Sequence, residues 1–492
     1  MFFVVQYKHY NKERKSDMKK ILFVTSEVYP FIKTGGLGDV AYALPKELNK
    51  QGYETRVICP LYKDIPQKYK DSMEKVCDFT VPVGWRRQYC GLFRTELDGT
   101  VFYFLDNEFY FLRGGAYGYF DDGERFAFFN RGVLEAIMHM DDFDPDVLHI
   151  NDWHTGMIPV LMRHFYYGTK AHCKTLLTIH NLKFQGIYPK QTLTELLGLS
   201  DEYFTEDKVK FYDCISYMKA AIVYSDFVTT VSPTYALEIQ NDFFGEGLNG
   251  VLNYYNFKLK GVLNGLDYEI NDPEKDPKIF ANYTSKDLSG KVKNKLLLQK
   301  ELGLVEDADM PMIGIVSRMT SQKGFDLVIA MIEEMMAENV QLVLLGTGDA
   351  KYEDVFRYYS NRYPERVSAN LFFSGDLAQK IYAASDLFLM PSLFEPCGLG
   401  QLIALRYGSV PLVRETGGLK DTIAPYNEYE NSGNGFSFAN FNAHDMMNVI
   451  RYALKVYREN KPEWENLVVR AMESDYSWEN AAKGYIDIYE NL

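Results

Sequence analysis

Two basic residues, Arg318 and Lys323, share the turn Ser317-Arg318-Met319-Thr320-Ser321-Gln322-Lys323-Gly324, directly after an apolar run. A planar guanidinium and a compact ammonium in one turn suit a diphosphate whose charge grows as a bond to it breaks. A second run, Pro391-Ser392-Leu393-Phe394-Glu395-Pro396-Cys397-Gly398-Leu399-Gly400, follows another apolar stretch and carries a carboxylate, Glu395, able to accept hydrogen bonds from sugar hydroxyls. Farther on, Arg414-Glu415-Thr416-Gly417-Gly418-Leu419 offers the amides of Gly417 and Gly418 to a phosphate. Near the other end, Lys33-Thr34-Gly35-Gly36-Leu37-Gly38-Asp39 precedes a helical pattern, where glycine N–H groups can approach an anion at a helix N-terminus. Each cluster alone also has an ordinary reading: solvated surface, a helix cap or a tight turn.

Other constellations fail on spacing or placement. Gly36-Leu37-Gly38-Asp39-Val40-Ala41 fits the dinucleotide pattern G-x-G-x-x-A, but its glycines stand too far behind the first strand for a tight turn. No acidic residue ends the next strand, where a ribose would need one. His149, Asp152 and His154 resemble metal ligands, yet they lack a companion set and the helical H-E-x-x-H spacing. A strand-end histidine such as His154 is more often structural. Asp144-Pro145-Asp146 and Asp307-Ala308-Asp309 match a metal-binding D-x-D, but each precedes a strand instead of following one.

The elements that must position these clusters read as α/β. Aliphatic runs KKILFVTS, TRVICPLY, DVLHIND, TLLTIHN and DFVTTVS alternate with amphipathic stretches in the first half. MIGIVSR, VQLVLLG, NLFFSG, LFLMPS and SVPLVRE do so in the second. Leu37, Val40, Leu44 and Leu48 cover one helical face. A polar, proline-containing stretch within 262–291 divides two doubly wound, parallel-sheet domains and is the expected hinge. Trp478, Ala481, Tyr485, Ile488 and Leu492 predict a last helix capped by Ser477. The expected division is an extension over residues 1–17, expected to be disordered, then 18–265, 266–474 and 475–492. At 492 residues and 47% apolar the chain can bury more than one core.

Composition narrows the function. A net charge of −14 argues against a nucleic-acid partner. No window approaches the roughly 18 apolar residues of a membrane span, and the opening charges follow its short apolar run, the wrong order for a secretory signal. Six scattered cysteines without a C-x-x-C pair fit a reducing compartment, and cytoplasm is expected.

In order along the chain stand KTGGLGDV (Lys33 to Val40), NDWHTG (Asn151 to Gly156), TIHNLKFQGIYP (Thr178 to Pro189), TVSPTYALEI (Thr230 to Ile239), VLNGLD (Val262 to Asp267), SRMTSQKG (Ser317 to Gly324), FEPCGLGQ (Phe394 to Gln401) and RETGGLKDT (Arg414 to Thr422). This ordered set resembles the bacterial and plant glycogen/starch synthases, retaining glycosyltransferases of the GT-B fold. The resemblance implies two Rossmann-like domains facing across a cleft that holds the donor, with the last helix crossing back to the first domain. It implies transfer of glucose from ADP-glucose to the non-reducing end of an α-1,4-glucan, glycogen or a maltooligosaccharide, with no metal or pyridoxal phosphate. By position, Lys33, Gly35 and Gly36 would meet the donor diphosphate, with Arg318 and Lys323 opposite. His180 and Asn181 would line the transferred glucose, His180 near its primary hydroxyl, and Asp152 would border the acceptor side. Glu395, Cys397 and Gly398 would cradle the sugar, and Thr416, Gly417, Gly418 and Leu419 would complete the phosphate pocket, with Asn264 and Leu399 also on the donor. His180, Arg318, Lys323 and Glu395 are the expected catalytic set.

The chain departs from the family pattern twice. Glu269-Ile270-Asn271-Asp272-Pro273 lacks an aromatic residue before the proline, so the hinge packing is expected to differ. Ile403 stands where related transferases often carry a second glutamate, so ribose contacts are expected from elsewhere. Glu395 has no partner carboxylate of the kind that defines a retaining hydrolase. A same-face displacement is therefore expected, with the leaving diphosphate taking the acceptor proton and domain closure excluding water. A phosphorylase would need a lysine-bound pyridoxal phosphate that no motif supports, and an inactive glucan-binding protein would be expected to have lost Arg318, Lys323 or Glu395. The base of the donor nucleotide is not legible in any motif, and the choice of ADP rests on the resemblance.

Overall fold

The computed structural model describes residues 18–492; the extension expected over residues 1–17 lies outside the described residues. The chain forms two compact units. The first comprises the described residues up to Val231, Ala236–Gly265 and Trp478–Leu492; the second comprises Ser232–Tyr235 and Leu266–Ser477.

In the first unit nine of the described strands make the main sheet, in the spatial order Leu259–Gly261, Phe227–Thr230, Lys174–Ile179, Val147–Asn151, Lys20–Val24, Glu54–Pro60, Thr100–Asp106, Arg86–Leu97, Glu74–Val83. The first seven run parallel, and the last two fold back antiparallel. Ile187–Pro189, Cys214–Ser216 and Lys210–Phe211 make a small antiparallel sheet. The central strands are buried along nearly their whole length, as a sheet covered on both faces requires. That is why they read as unbroken aliphatic runs. The antiparallel pair has no such signature, because Glu74–Val83 is mostly exposed at its start and its charges mask the period of two.

Leu37, Val40, Leu44 and Leu48 are all buried on the helix Gly36–Lys50. The last helix, Trp478–Asn491, packs on that same helix. It buries Trp478, Ala482, Tyr485, Ile488 and Tyr489, so Ala482 and Tyr489 take the inward places expected of Ala481 and Leu492. The Tyr489 hydroxyl lies 2.6 Å from His149 Nδ1, and His149 Nε2 lies 2.7 Å from Thr178 Oγ1. Thr178 meets Thr229 at 2.7 Å, and Thr229 donates to the Leu177 carbonyl at 3.1 Å. This chain of polar groups explains His149: it is a buried strut between sheet and last helix.

The second unit carries a parallel sheet of six described strands in the order Val367–Asn370, Gln341–Leu345, Met312–Val316, Leu387–Met390, Val410–Arg414, Phe436–Phe438. The run NLFFSG is not a strand. Pairing ends at Asn370, and Ser374 then caps the helix Gly375–Ala384 by accepting from the Leu377 N–H at 3.2 Å. The loop between them leaves Phe373 94% exposed.

The main sheet of each unit has one place where the chain stops adding strands on one side and starts on the other. In the first unit it lies between Lys20–Val24 and Val147–Asn151; in the second, between Met312–Val316 and Leu387–Met390. Ligands of open α/β sheets bind outside the carboxyl ends of such strands. Glu27 and Asp152 leave the first of these points, and Arg318 and Glu395 the second.

Candidate active site

At the first switch point the glycine loop folds around a carboxylate of its own chain. Glu27 is buried and accepts from the N–H groups of Thr34 at 2.7 Å, Gly35 at 3.2 Å and Gly38 at 3.0 Å, and from the Thr34 hydroxyl. An internal anion, Glu27, thus stands over this helix N-terminus. A buried carboxylate there satisfies amides that the helix leaves open and is favoured by the helix dipole. Gly36 opens the helix beside it, and Lys33 Nζ pairs with Asp39 at 2.7 Å on the surface.

Asp152 ends the neighbouring strand with φ 55° and ψ −176°, a conformation that costs about 1–3 kcal/mol in a residue with a side chain. Its carboxylate accepts from the His180 N–H at 2.7 Å and, longer, from the Asn181 N–H at 3.4 Å. Burial pushes its carboxyl up to about 7 despite those two donors. His180 and Asn181 leave the strand Lys174–Ile179; Asn181 Oδ1 accepts from the Lys183 N–H at 3.1 Å, closing the turn. Burial pushes the His180 imidazole down to about 3, so it is neutral at any working pH. Asn264 is buried, and its amide oxygen has no partner among the described residues. His154 is packed between Trp153, Phe126 and Tyr117, an aromatic setting in which burial holds it neutral, down to about 3.

The second switch point gathers the basic pair and Glu395. Lys323, on the single turn Ser321–Lys323, places Nζ 2.6 Å from Glu395 Oε2, which also accepts from the Ser392 hydroxyl at 3.1 Å. Arg318 is exposed, and its guanidinium has no carboxylate partner among the described residues. A surface cation facing no internal counter-charge is available to an anionic ligand.

Glycines let these loops touch backbone to backbone. Gly324 has φ +75°, and a Cβ there would strike the Pro391 carbonyl; at Gly417, with φ +45°, it would strike the Glu395 carbonyl. The Gly418 N–H donates to the carbonyls of Glu395 and Pro396, both at 3.1 Å, so this amide holds the Glu395 loop instead of a phosphate. Arg414 adds a bond to the Leu393 carbonyl at 2.9 Å, and Gln401 bonds the carbonyls of Cys397 at 3.0 Å and Gly398 at 2.9 Å. Cys397 and Thr416 are buried beside these turns. The side chain of Leu419 is in the core with Leu402, Leu405 and Ile423, and its N–H donates to the Thr416 carbonyl at 3.1 Å. Leu399 and Ile403 pack on the same cluster.

The D-x-D carboxylates are in structural use. Asp146 accepts from the Lys20 N–H at 2.9 Å, and Asp309 pairs with Lys461. Among the described residues no three His, Cys, Asp or Glu side chains gather as a metal would require. No helix among them is long and apolar enough to cross a membrane.

Residues 20–254 match the starch synthase catalytic domain, and residues 302–465 match glycosyl transferases group 1. Over 474 residues the chain is 58% identical to the glycogen synthase of Clostridium novyi, covering 96% of this chain and 99% of that protein. The chain belongs to the glycogen synthase family. The glycogen synthase of Clostridioides difficile is 53% identical over 479 residues, 96% of this chain and 99% of that one. The catalytic domain of starch synthase IV from Arabidopsis thaliana, bound to ADP and acarbose, superposes with TM-score 0.90 at 31% identity, over 97% of this chain and 99% of that one. Sucrose-phosphate synthase from Thermosynechococcus elongatus shares the fold alone, with TM-score 0.62 at 15% identity over 96% and 99% of the two chains. This glycogen synthase family member is thus a GT-B glycosyltransferase.

Three residues of its site carry no mark in the sequence. Asn151 and Ser392 stand within motif runs and Glu27 just ahead of one, but residue type and spacing did not single them out.

Proposed function

We propose that the protein transfers glucose from ADP-glucose to the non-reducing end of an α-1,4-glucan with retention of configuration. The observation that carries this reading is the exposed, unpaired Arg318 in the same turn as Lys323, at the carboxyl edge of a Rossmann-type sheet. The likeness to a starch synthase bound to ADP supports an adenine nucleotide as donor.

In this reading Arg318, Lys323 and Lys33 take the diphosphate and stabilise the charge that develops on it. The departing diphosphate takes the acceptor proton, and the acceptor hydroxyl attacks from the same face. Glu395 is poorly suited to be a nucleophile, because Lys323 and Ser392 both hold one of its oxygens. It serves the sugar hydroxyls with Cys397 and Gly398, while His180 and Asn181 contribute to the sugar and Asp152 to the acceptor. Thr416 and Gly417 complete the phosphate contacts, with Gly36, Asn264 and Leu399 on the donor. Three cations supply the charge stabilisation, so the reaction as proposed uses neither a metal nor pyridoxal phosphate. Cytoplasm, where free thiols persist, is the proposed site of action.

Nucleotide release from purified protein with ADP-glucose or UDP-glucose, each with and without glycogen, tests the reading. Glycogen-dependent ADP release is expected. Glycogen-dependent UDP release would keep the reaction and overturn the donor; silence with both, from folded protein that binds glycogen, would overturn the catalytic reading.

A further inference from the structure

Asn151 ends the strand Val147–Asn151 and is completely buried. Its Nδ2 donates to the main-chain carbonyls of Val24 at 3.0 Å and His149 at 3.3 Å. Both amide hydrogens are therefore used, and the orientation of the amide is decided. Were nitrogen and oxygen exchanged, the oxygen would face two carbonyl oxygens and every contact would be repulsive. Oδ1 must then be the atom 2.9 Å from His180 Nε2.

A carboxamide oxygen accepts and cannot donate, so the proton of that bond belongs to Nε2. A neutral imidazole has only one N–H, which leaves Nδ1 as a bare lone pair. No described residue donates to Nδ1. The other end of His180 is held independently, by the 2.7 Å bond from its N–H to Asp152. The main chain of His180 is thus held by one neighbour and the proton position of its ring by another.

We propose that Asn151 is a positioning residue that locks His180 in the Nε2–H tautomer, so that Nδ1 presents a permanent acceptor to a hydroxyl of the transferred sugar. The choice of ligand rests on the glucosyl-transfer reading above; the tautomer does not. A ring free to exchange tautomers would present a donor part of the time and would meet the hydroxyl through its oxygen. The locked ring accepts only, so it distinguishes a sugar that carries a hydroxyl at this point from one that carries hydrogen. A neutral imidazole also keeps positive charge away from the hydroxyl, and the depressed basicity of His180 agrees with this.

The test has two arms. In the first, the resting enzyme with 15N-labelled histidine is observed by long-range proton–nitrogen NMR, and the His180 signals are identified by their loss in His180→Asn. The expected spectrum has a protonated Nε2 and an unprotonated Nδ1, replaced by a tautomer mixture in Asn151→Leu. A protonated Nδ1 in the wild-type protein would overturn the proposal whatever the enzyme's activity.

In the second arm, kcat/KM is measured for ADP-glucose and its 6-deoxy analogue. Asn151→Leu should lower kcat/KM about tenfold for ADP-glucose, the size of one neutral hydrogen bond, and much less for the analogue. Equal losses on both donors would assign Asn151 a structural role only. If Asn151→Leu does not fold, Asn151→Ala carries the same comparison: a loss larger for ADP-glucose than for the analogue is expected, and equal losses overturn the link to the sugar.

Discussion

Arg318 and Lys323 differ in what the fold gives them to do before any ligand arrives. Lys323 is held by Glu395, while Arg318 faces no carboxylate among the described residues, so the guanidinium is the less encumbered charge for a leaving diphosphate. Arg318→Ala should lower kcat by about 10²–10³-fold, as loss of one oxyanion donor does, with the melting temperature unchanged; glycogen-dependent ADP release and a thermal melt check it. Asp152 governs pH dependence. Its carboxyl titrates near 7 in the folded protein and near 3.8 when unfolded. Between those values the folded state holds a proton that the unfolded state has released. The stability it contributes is therefore fully present below about 3.8 and is lost as pH rises through about 7. Activity runs the other way, because the ionised carboxylate grips the His180 and Asn181 amides more firmly. A pH profile of kcat/KM should fall on the acid side of about 7, and Asp152→Asn should abolish that limb along with part of the activity. Arg318, Lys323 and Glu395 were legible in the sequence because charge stands out at the end of an apolar run. Glu27 and Asn151 were not, since the turn of the loop after Glu27 and the neighbouring strand beside Asn151 decide which main-chain groups they bind. Gly35, Gly418 and Leu419 also serve the fold: the two glycine amides bond within their own unit, and the Leu419 side chain lies in the core.

Elements follow the same logic. The central strands were legible because burial on both faces leaves an unbroken aliphatic run, whereas the antiparallel pair at the sheet edge and the short strand Val367–Asn370 carry polar residues that erase the pattern. NLFFSG misleads by hydrophobicity alone; the Ser374 cap was the stronger signal that the chain was entering a helix. The loops at the second switch point hold together through glycine contacts that no side chain could replace. Gly324 is the sharpest case, since both its positive φ and the Pro391 carbonyl oppose a Cβ. Gly324→Ala should cost about 1–3 kcal/mol of stability and shift Lys323 away from Glu395. A lowered melting temperature with a raised KM for the donor is the expected result, and a variant unchanged in both would refute the close-packing account.

At the scale of the whole chain, the first unit is finished by its last residues. Trp478–Leu492 belongs to a unit whose other parts end at Gly265, so more than two hundred residues intervene before its sheet receives this helix. The helix is held by more than apolar contact. Tyr489 reaches His149 in the sheet, and its own carbonyl accepts from Lys19. Burial pushes the His149 imidazole far down, so the ring stays neutral and one of its nitrogens requires a donor. Tyr489→Phe removes that donor while keeping the ring, leaving a buried nitrogen unsatisfied at a cost of about 1–3 kcal/mol. Deleting Trp478–Leu492 goes further, uncovering part of the helix Gly36–Lys50, whose first turn follows the glycine loop. Chemical unfolding with separate probes on the two units should therefore show the first unit losing stability in both variants and the second unit unfolding as in the wild type. The deletion should also abolish glucosyl transfer, because Lys33 and Gly36 sit at the N-terminal end of the helix it uncovers. Addition of a peptide spanning 478–492 should restore part of both; an unaltered first-unit transition after deletion would mean that the last helix is a passenger on this fold.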